Sequence, residues 1–154
     1  MTKSNKKLSI EQLDKKFAKI SPMSEVEIPA SGWIYAIRTA LNMSLTQLAR
    51  RLKKTMQSVK EIEEREQSRN ITLKKLMEVA EALDLRFYYC FLPKGSSLEK
   101  MIERRANQIA REIVMRTSHS MSLEEQQNTQ ERLERAIADK AEQIKREMPK
   151  YLWD

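Results

Sequence analysis

The chain has 154 residues, of which 40% are apolar and 33% charged, and it carries a formal net charge of +7. This size fits one domain or a small domain with appendages, and this balance is typical of a soluble, helix-rich protein. The presence of only 2 glycines and 4 prolines argues against a turn-rich β architecture. The longest apolar run, Phe87 to Leu92, is far short of a membrane span, and the first residues lack the apolar core of a signal peptide. We therefore expect a cytoplasmic protein with no membrane partner.

Residues 1–30 are predicted to form a short amphipathic helix and an extended linker. Ser9 begins the helix as an N-cap, and Gln12 completes a capping box with it. The apolar stripe of this helix consists of Ile10, Leu13, Phe17 and Ile20. Pro22 and Pro29 bracket the linker. Such a peripheral helix either straps its own domain or inserts into a partner's groove, and the sequence leaves both open.

Two helices joined by a tight turn are predicted between Ser44 and Glu63. Ser44 is a good N-cap, and the apolar stripe that follows it is Leu45, Leu48, Ala49 and Leu52. Thr55 offers a second N-cap, and Val59 and Ile62 face inward in the next helix. A helix is also predicted on each side of this pair, with the stripes Trp33, Ile34, Ile37, Ala40 and Leu41 upstream and, after a cap at Thr72, Leu73, Leu76, Met77, Ala80 and Leu83 downstream. Four short helices suffice to enclose a small core.

This layout favours a DNA-reading helix-turn-helix, in which the second helix enters a major groove about 12 Å wide with its N-terminal residues facing base edges. Gln and Glu at such positions pair with adenine and cytosine edges, and Met touches a thymine methyl group. The predicted base-reading residues are Met56, Gln57, Lys60 and Glu61. The predicted phosphate contacts are Thr46, Gln47, Arg50, Lys53, Lys54, Thr55 and Ser58. The alternative is that these side chains form the solvated face of an ordinary helical hairpin.

Positive charge is concentrated in the same region. Residues 31–96 hold 12 Lys and Arg against 7 Asp and Glu, whereas residues 1–30 hold 6 against 4 and residues 97–154 hold 11 against 11. Basic side chains at the groove-facing edge would neutralise phosphates and release counterions. A solvated basic face, common in soluble proteins, is the competing interpretation.

These motifs resemble the Xre/Cro family of lambda-repressor-like DNA-binding domains over residues 32–85. The shared features are the run Leu48-Ala49-Arg50-Arg51-Leu52, the spacing of Thr55 and Val59, the pair Ile62-Glu63, and the later Leu76, Ala80, Ala82 and Leu83. The resemblance implies a mainly α fold, with a helix-turn-helix domain over residues 31–84 that binds double-stranded operator DNA. The family turn usually carries Gly where this chain has Lys53-Lys54, so we expect a lysine at positive φ.

Residues 85–94 are predicted to form a single β-strand, because they are rich in aromatic residues and reach Pro93. A lone strand cannot satisfy its own backbone. The simplest partner is the same strand of a second subunit. This pairing would make a homodimer whose two recognition helices bind palindromic half-sites about 34–36 Å apart. The predicted dimerisation residues are Phe87, Tyr88, Tyr89 and Phe91. Pairing with residues 26–28 is the alternative.

Residues 95–154 are predicted to form two amphipathic helices joined by a looser stretch over residues 118–122. Their stripes are Leu98, Met101, Ile102, Ile109 and Ile113 in the first helix and Leu133, Ile137, Ile144 and Met148 in the second. Their balanced charge argues against a second nucleic-acid surface, so they either fold back on the domain or capture another protein.

The sequence offers little for catalysis or for metal binding. His119 is the only histidine and Cys90 the only cysteine, so we interpret the first as a loop residue and the second as a core residue. We predict no metal, no cofactor and no catalytic residue. Because a glycine-rich phosphate loop and a supported nucleophile–base pair are missing from the sequence, an enzyme is the least favoured class.

Over its full length the chain is similar to the small family called mobile mystery protein A. The features that carry the similarity are Pro29-Ala30-Ser31-Gly32-Trp33, the Leu-Ala-Arg-Arg-Leu helix, Ile71-Thr72-Leu73, the aromatic run ending at Pro93, and Leu152-Trp153-Asp154. The resemblance implies a bacterial antitoxin whose gene lies beside that of a Fic-domain enzyme that transfers adenylyl groups. We therefore expect a sequence-specific transcriptional repressor that autoregulates a toxin–antitoxin pair. The alternative is an antitoxin that neutralises its partner enzyme directly, with the helix-turn-helix as scaffold.

Overall fold

The computed structural model describes residues 3–118 and 126–154, which belong to two compact units. The central unit comprises Met23–Cys90, and the terminal unit combines Met1–Pro22 with Phe91–Asp154. Each unit has a hydrophobic core of its own. His119 and the rest of the predicted joint after Ser118 lie outside the described residues.

Seven α-helices lie within these described ranges. In chain order they are α1 (Lys3–Ile20), α2 (Trp33–Ala40), α3 (Leu45–Leu52), α4 (Met56–Gln67), α5 (Leu73–Ala82), α6 (Leu98–Ser118) and α7 (Gln126–Glu147). Short 3-10 segments, Ser21–Glu25 and Lys150–Trp153, come after α1 and α7. The predicted mainly α fold is therefore confirmed for this part of the chain.

Helices α2 to α5 enclose the core of the central unit. The three predicted N-caps are confirmed, because the hydroxyls of Ser44, Thr55 and Thr72 accept backbone N–H groups at the starts of α3, α4 and α5. The core residues are Ile34, Leu48, Ala49, Val59, Ile62, Val79 and Leu83. Only one side of each short helix meets this core. Five residues predicted in the stripes of α2 and α5 are therefore largely exposed, namely Trp33, Ala40, Leu41, Leu73 and Met77.

All four helices of this core end in the same way, each on a non-glycine residue in the left-handed region. These residues are Asn42, Lys53, Arg69 and Asp84, with φ of 53° to 59°. At the end of α3, Lys54 donates its N–H to the Ala49 carbonyl and Lys53 donates to the Arg50 carbonyl, which is the hydrogen-bond pair of a Schellman motif. The positive φ expected in the Lys53-Lys54 turn is thus confirmed at Lys53.

The prediction of a β-strand over residues 85–94 is wrong for the single chain. Residues 85–93 are irregular, as are residues 26–28, and no strand occurs in residues 3–118 or 126–154. A strand needs a neighbouring backbone for its N–H and C=O groups, and no described segment provides one. The predicted dimerisation residues, Phe87, Tyr88, Tyr89 and Phe91, therefore lie in an irregular segment. The interpretation of Cys90 as a core residue is also wrong, because Cys90 is exposed in this segment.

In the terminal unit, α6 packs against both α7 and α1. The core residues are Ile102, Ala106, Ile109, Ala110, Ile137, Ala141, Ile144 and Leu152. Six residues of the two predicted stripes belong to this core or pack against it, whereas Leu98, Met101 and Leu133 are partly buried outside it. Asp14 of α1 caps α6, because its carboxylate accepts the N–H groups of Leu98 at 2.7 Å and Glu99 at 3.2 Å. This cap joins residues that are far apart in the sequence.

Helix α1 begins earlier than predicted. Ser9 is not its N-cap, because the helix begins at Lys3 and the Ser9 hydroxyl donates to the Asn5 carbonyl one turn earlier. Residues 6–8 are Lys, Lys and Leu, which are good helix formers, so the helix extends through them towards the N-terminus. Ile10 packs against the core of the terminal unit.

Candidate nucleic-acid interface

The outer face of α4 presents the four predicted base-reading residues to solvent. Met56, Gln57, Lys60 and Glu61 are exposed, whereas Val59 and Ile62 of the same helix are buried in the core. With 12 residues, α4 is about 18 Å long, and a helix of this kind fits a major groove about 12 Å wide. We call the surface formed by Met56, Gln57, Lys60 and Glu61 the reading face.

The start of α3 contacts the start of α4 beside this face. The Thr46 hydroxyl donates to the Met56 sulfur at 3.7 Å, and both side chains are exposed. A predicted phosphate contact therefore lies next to a predicted base contact.

Three of the predicted phosphate contacts also take part in helix caps. The Thr55 hydroxyl accepts the Ser58 N–H at 3.1 Å and donates to the Ser58 hydroxyl at 2.9 Å. The side-chain oxygen of Gln47 accepts the Ser44 N–H at 2.7 Å. The amide N–H groups of Gln47 are consequently the donors of that side chain that a phosphate would meet.

Exposed positive charge borders the reading face at Arg50, Lys53 and Lys54. The two lysines form the turn between α3 and α4, in the conformation fixed by the Schellman motif. Arg51, their neighbour in sequence, has a different contact, since its guanidinium donates to the Ala82 carbonyl of α5 at 3.2 Å. The turn therefore places a basic edge directly before the first turn of α4.

A shallow cleft of about 390 Å³ lies between α4 and the start of α5. Its basic lining residues are Lys54, Arg65 and Lys75. Lys75 also forms an ion pair with Glu78, and this hydrogen bond lowers the pKa of the Glu78 carboxyl. Ser58 and Glu61 line the same cleft, so it adjoins the reading face.

A buried ion pair fixes α4 against α2, and our sequence analysis missed it. The Arg38 Nε donates to one oxygen of Glu63 at 2.5 Å and Nη2 donates to the other at 3.1 Å, while Nη1 donates to the Met43 carbonyl at 2.9 Å. Both residues are only 8% exposed. The hydrogen bond with Glu63 raises the pKa of the Arg38 guanidinium despite its burial. The Arg38 guanidinium also lies 5.3 Å from the centre of the Tyr35 ring.

A second carboxylate of α4 caps the N-terminus of α2. Glu66 accepts the backbone N–H groups of Trp33 at 3.0 Å and Ile34 at 2.8 Å. Gly32, the N-cap residue, has φ of 83°, and a Cβ atom there would lie 2.8 Å from the Glu66 carboxylate. The φ at this position favours glycine, and the Cβ of any other residue would displace the Glu66 carboxylate.

A signal for these two contacts was present in the sequence. Val59, Ile62, Glu63 and Glu66 share the inward side of α4 at helical spacing, and Arg38 lies one turn after the buried Ile34 of α2. A charged residue on a buried stripe is expected to have a partner. Glu63 and Glu66 together therefore orient α4, and so the reading face, relative to α2.

No group of three or more His, Cys, Asp and Glu side chains is placed to hold a metal ion in the described ranges. No helix within those ranges is long and apolar enough to cross a bilayer.

The comparisons with known proteins identify the central unit. The helix-turn-helix family model matches residues 34–90, which include nearly all of α2 and all of α3 to α5. No curated protein and no solved structure matches the chain. Together with the capped helix pair α3–α4 and its exposed reading face, this match shows that residues 34–90 are an Xre-type helix-turn-helix domain.

Proposed function

We propose that the protein is a sequence-specific DNA-binding transcriptional repressor. The observation that carries this proposal is the reading face, in which the first two turns of α4 expose four side chains suited to base edges while Glu63 and Glu66 hold the opposite side of the helix. A helix-turn-helix reads DNA with this part of its second helix. The family match to residues 34–90 supports the same function.

Each side chain of the reading face has a distinct complement in the major groove. The Gln57 amide suits the N6 and N7 edge of adenine, Glu61 accepts from the N4 amino group of cytosine, and Lys60 suits guanine. Met56 supplies an apolar contact for a thymine methyl group. Specificity would therefore come from a short run of bases on each half-site.

Backbone affinity would come from the basic edge before α4. The cations of this edge are Arg50, Lys53 and Lys54. Neighbouring side chains that can hydrogen-bond to phosphate lie at the start of α3 (Thr46 and Gln47) and at the start of α4 (Thr55 and Ser58). Each neutralised phosphate contributes about 0.9 to the slope of log affinity against log salt. Binding should consequently weaken steeply as salt rises.

We further propose that the protein acts as a homodimer through the aromatic segment 87–91. Tyr88 is 69% and Phe91 81% exposed, and Tyr89 is exposed beside them. Aromatic side chains of this kind are enriched in protein interfaces. Changing Tyr88 and Phe91 to Ser should shift the sedimentation coefficient from that of a dimer to that of a monomer, whereas Tyr151→Ser, also at an exposed tyrosine, should not. A wild-type chain that sediments as a monomer at every concentration would contradict the dimer.

The variant Gln57→Ala tests the DNA-binding proposal. Its matched control is Gln67→Ala, because Gln67 is an exposed glutamine at the other end of the same helix. We expect Gln57→Ala to reduce the preference for the protein's own promoter over unrelated DNA by about 1–3 kcal/mol in a competition mobility-shift assay. Gln67→Ala should leave the preference unchanged. Equal behaviour of the two variants would remove Gln57 from base readout.

A second proposal concerns the chain outside this domain. We propose that the protein is the antitoxin of a Fic-domain adenylyl transferase, on the basis of the sequence resemblance to mobile mystery protein A and of a separate terminal unit that the helix-turn-helix does not use. The full chain should suppress adenylyl transfer by the neighbouring Fic enzyme in vitro. Gln57→Ala should retain that suppression, because the change lies on the reading face. Full enzyme activity at a large excess of the chain would contradict the antitoxin role.

A further inference from the structure

The Met56 thioether is an oxidisable group on the reading face. It is 54% exposed at the first position of α4, and its sulfur accepts the hydrogen bond from the Thr46 hydroxyl at 3.7 Å. The Met56 residue is thus accessible to small oxidants, and its sulfur already lies beside a hydroxyl donor.

We propose that Met56 is a site of reversible sulfoxidation by peroxide, and that the sulfoxide weakens operator binding. This inference rests on the proposed DNA-binding function. In the reaction the sulfur lone pair attacks one oxygen of hydrogen peroxide, and an S–O bond forms as the O–O bond breaks. The proton on the attacked oxygen passes to the departing hydroxide, which leaves as water. The sulfur is oxidised by two electrons and the peroxide is reduced by two. Methionine sulfoxide reductases reverse this modification.

The chemical change acts on two contacts at once. Oxidation turns a flexible apolar side chain into a polar one, and an S=O group pressed against a thymine methyl group would lose water that the methyl group cannot replace. The sulfoxide oxygen is also a stronger acceptor for the nearby Thr46 hydroxyl than the thioether sulfur, which is a weak one. Thr46 would then be held away from the phosphate that we expect it to contact.

The other exposed methionines provide the comparison. Within the described residues, Met23, Met77 and Met115 are the other largely exposed methionines, and none of them lies on α4. Met77 is the closest match, because it is 55% exposed and, like Met56, lies on an α-helix of the central unit. Peroxide should oxidise Met77 as readily as Met56, with no effect on DNA binding.

The experiment compares wild type, Met56→Leu and Met77→Leu before and after treatment with hydrogen peroxide. Dithiothreitol added after the quench returns disulfide-linked or sulfenic Cys90, which is exposed, to the thiol but leaves a sulfoxide in place. Peptide mass spectrometry measures oxidation at Met56 and Met77, and circular dichroism confirms that the treated proteins stay folded. The readout is the ratio of promoter affinities before and after oxidation, so the starting affinity of each variant cancels.

We expect oxidised wild type and oxidised Met77→Leu to bind the promoter about tenfold more weakly than before, and a methionine sulfoxide reductase to restore binding. Met56→Leu should keep a ratio near one. Unchanged affinity of a folded wild type that is fully oxidised at Met56, or an equal loss in Met56→Leu, would overturn the proposal. If the untreated wild type shows no preference for its promoter, the DNA-binding function itself fails.

Discussion

Removal of the Glu63 carboxylate should damage the central unit more than any change on its surface. Glu63→Ala leaves the Arg38 guanidinium buried with the Met43 carbonyl and the Tyr35 ring as its remaining partners. Deleting one partner of a buried ion pair typically costs about 3–5 kcal/mol. Because Arg38 keeps two contacts, we expect the lower end, about 3 kcal/mol.

The assay is urea unfolding followed by tryptophan fluorescence. Trp33 lies in the central unit and Trp153 in the terminal unit, so a Trp153→Phe background makes the signal report the central unit alone. Glu64→Ala is the matched control, because Glu64 is the exposed neighbour of Glu63 on α4, and surface changes of this kind usually stay within about 0.5 kcal/mol. For a domain of this size, a loss of about 3 kcal/mol corresponds to a fall in Tm of roughly 12–24 °C.

A double variant separates the unpaired charge from the lost volume. Arg38→Met with Glu63→Leu replaces the pair by apolar side chains, and such replacements are often neutral or stabilising. We expect its free energy of unfolding to equal that of wild type or to exceed it by up to about 4 kcal/mol. The reasoning is refuted if Glu63→Ala unfolds at the same urea concentration as Glu64→Ala, or if the double variant loses as much stability as Glu63→Ala.

Three further substitutions test local features. Lys53→Gly should stabilise the central unit by about 0.5–1 kcal/mol in urea unfolding, because it relieves the φ of 53°, yet lower the salt slope of DNA binding by about 0.9. Gly32→Ala should lower the free energy of unfolding by about 2 kcal/mol, because it displaces the Glu66 cap. The loss should be smaller in a Glu66→Ala background, and strictly additive losses would contradict the contact between the two residues. Asp14→Ala should speed amide hydrogen exchange at the start of α6 and lower the free energy of unfolding by about 1–2 kcal/mol, because the Leu98 N–H loses its acceptor. An unchanged exchange rate there would exclude Asp14 as the cap of α6.

Local features of the fold could be predicted because their causes are local. A hydroxyl followed by an apolar stripe at helical spacing predicts a capped helix, and Ser44, Thr55 and Thr72 do cap theirs. The short connection between α3 and α4 leaves a lysine at the position that closes a Schellman motif, which made the φ of Lys53 predictable.

Features that depend on distant partners were not predictable in the same way. The aromatic composition of residues 85–94 favours a strand, but a strand also needs a neighbouring backbone, and the described chain supplies none. Arg38 and Glu63 each occupy a buried stripe, but only the packing of α2 on α4 shows that they meet. The same holds for Asp14 of α1 and the start of α6. The DNA contacts of the reading face stay predictions, since they concern a second molecule.

The most direct test of DNA readout is a mobility-shift titration of the full chain against its own promoter and against unrelated DNA at physiological salt. A sequence-specific repressor should bind its promoter about 10³-fold or more tightly than unrelated DNA. Equal, weak binding to both would contradict that function and would leave the helix-turn-helix domain as a scaffold for a protein partner.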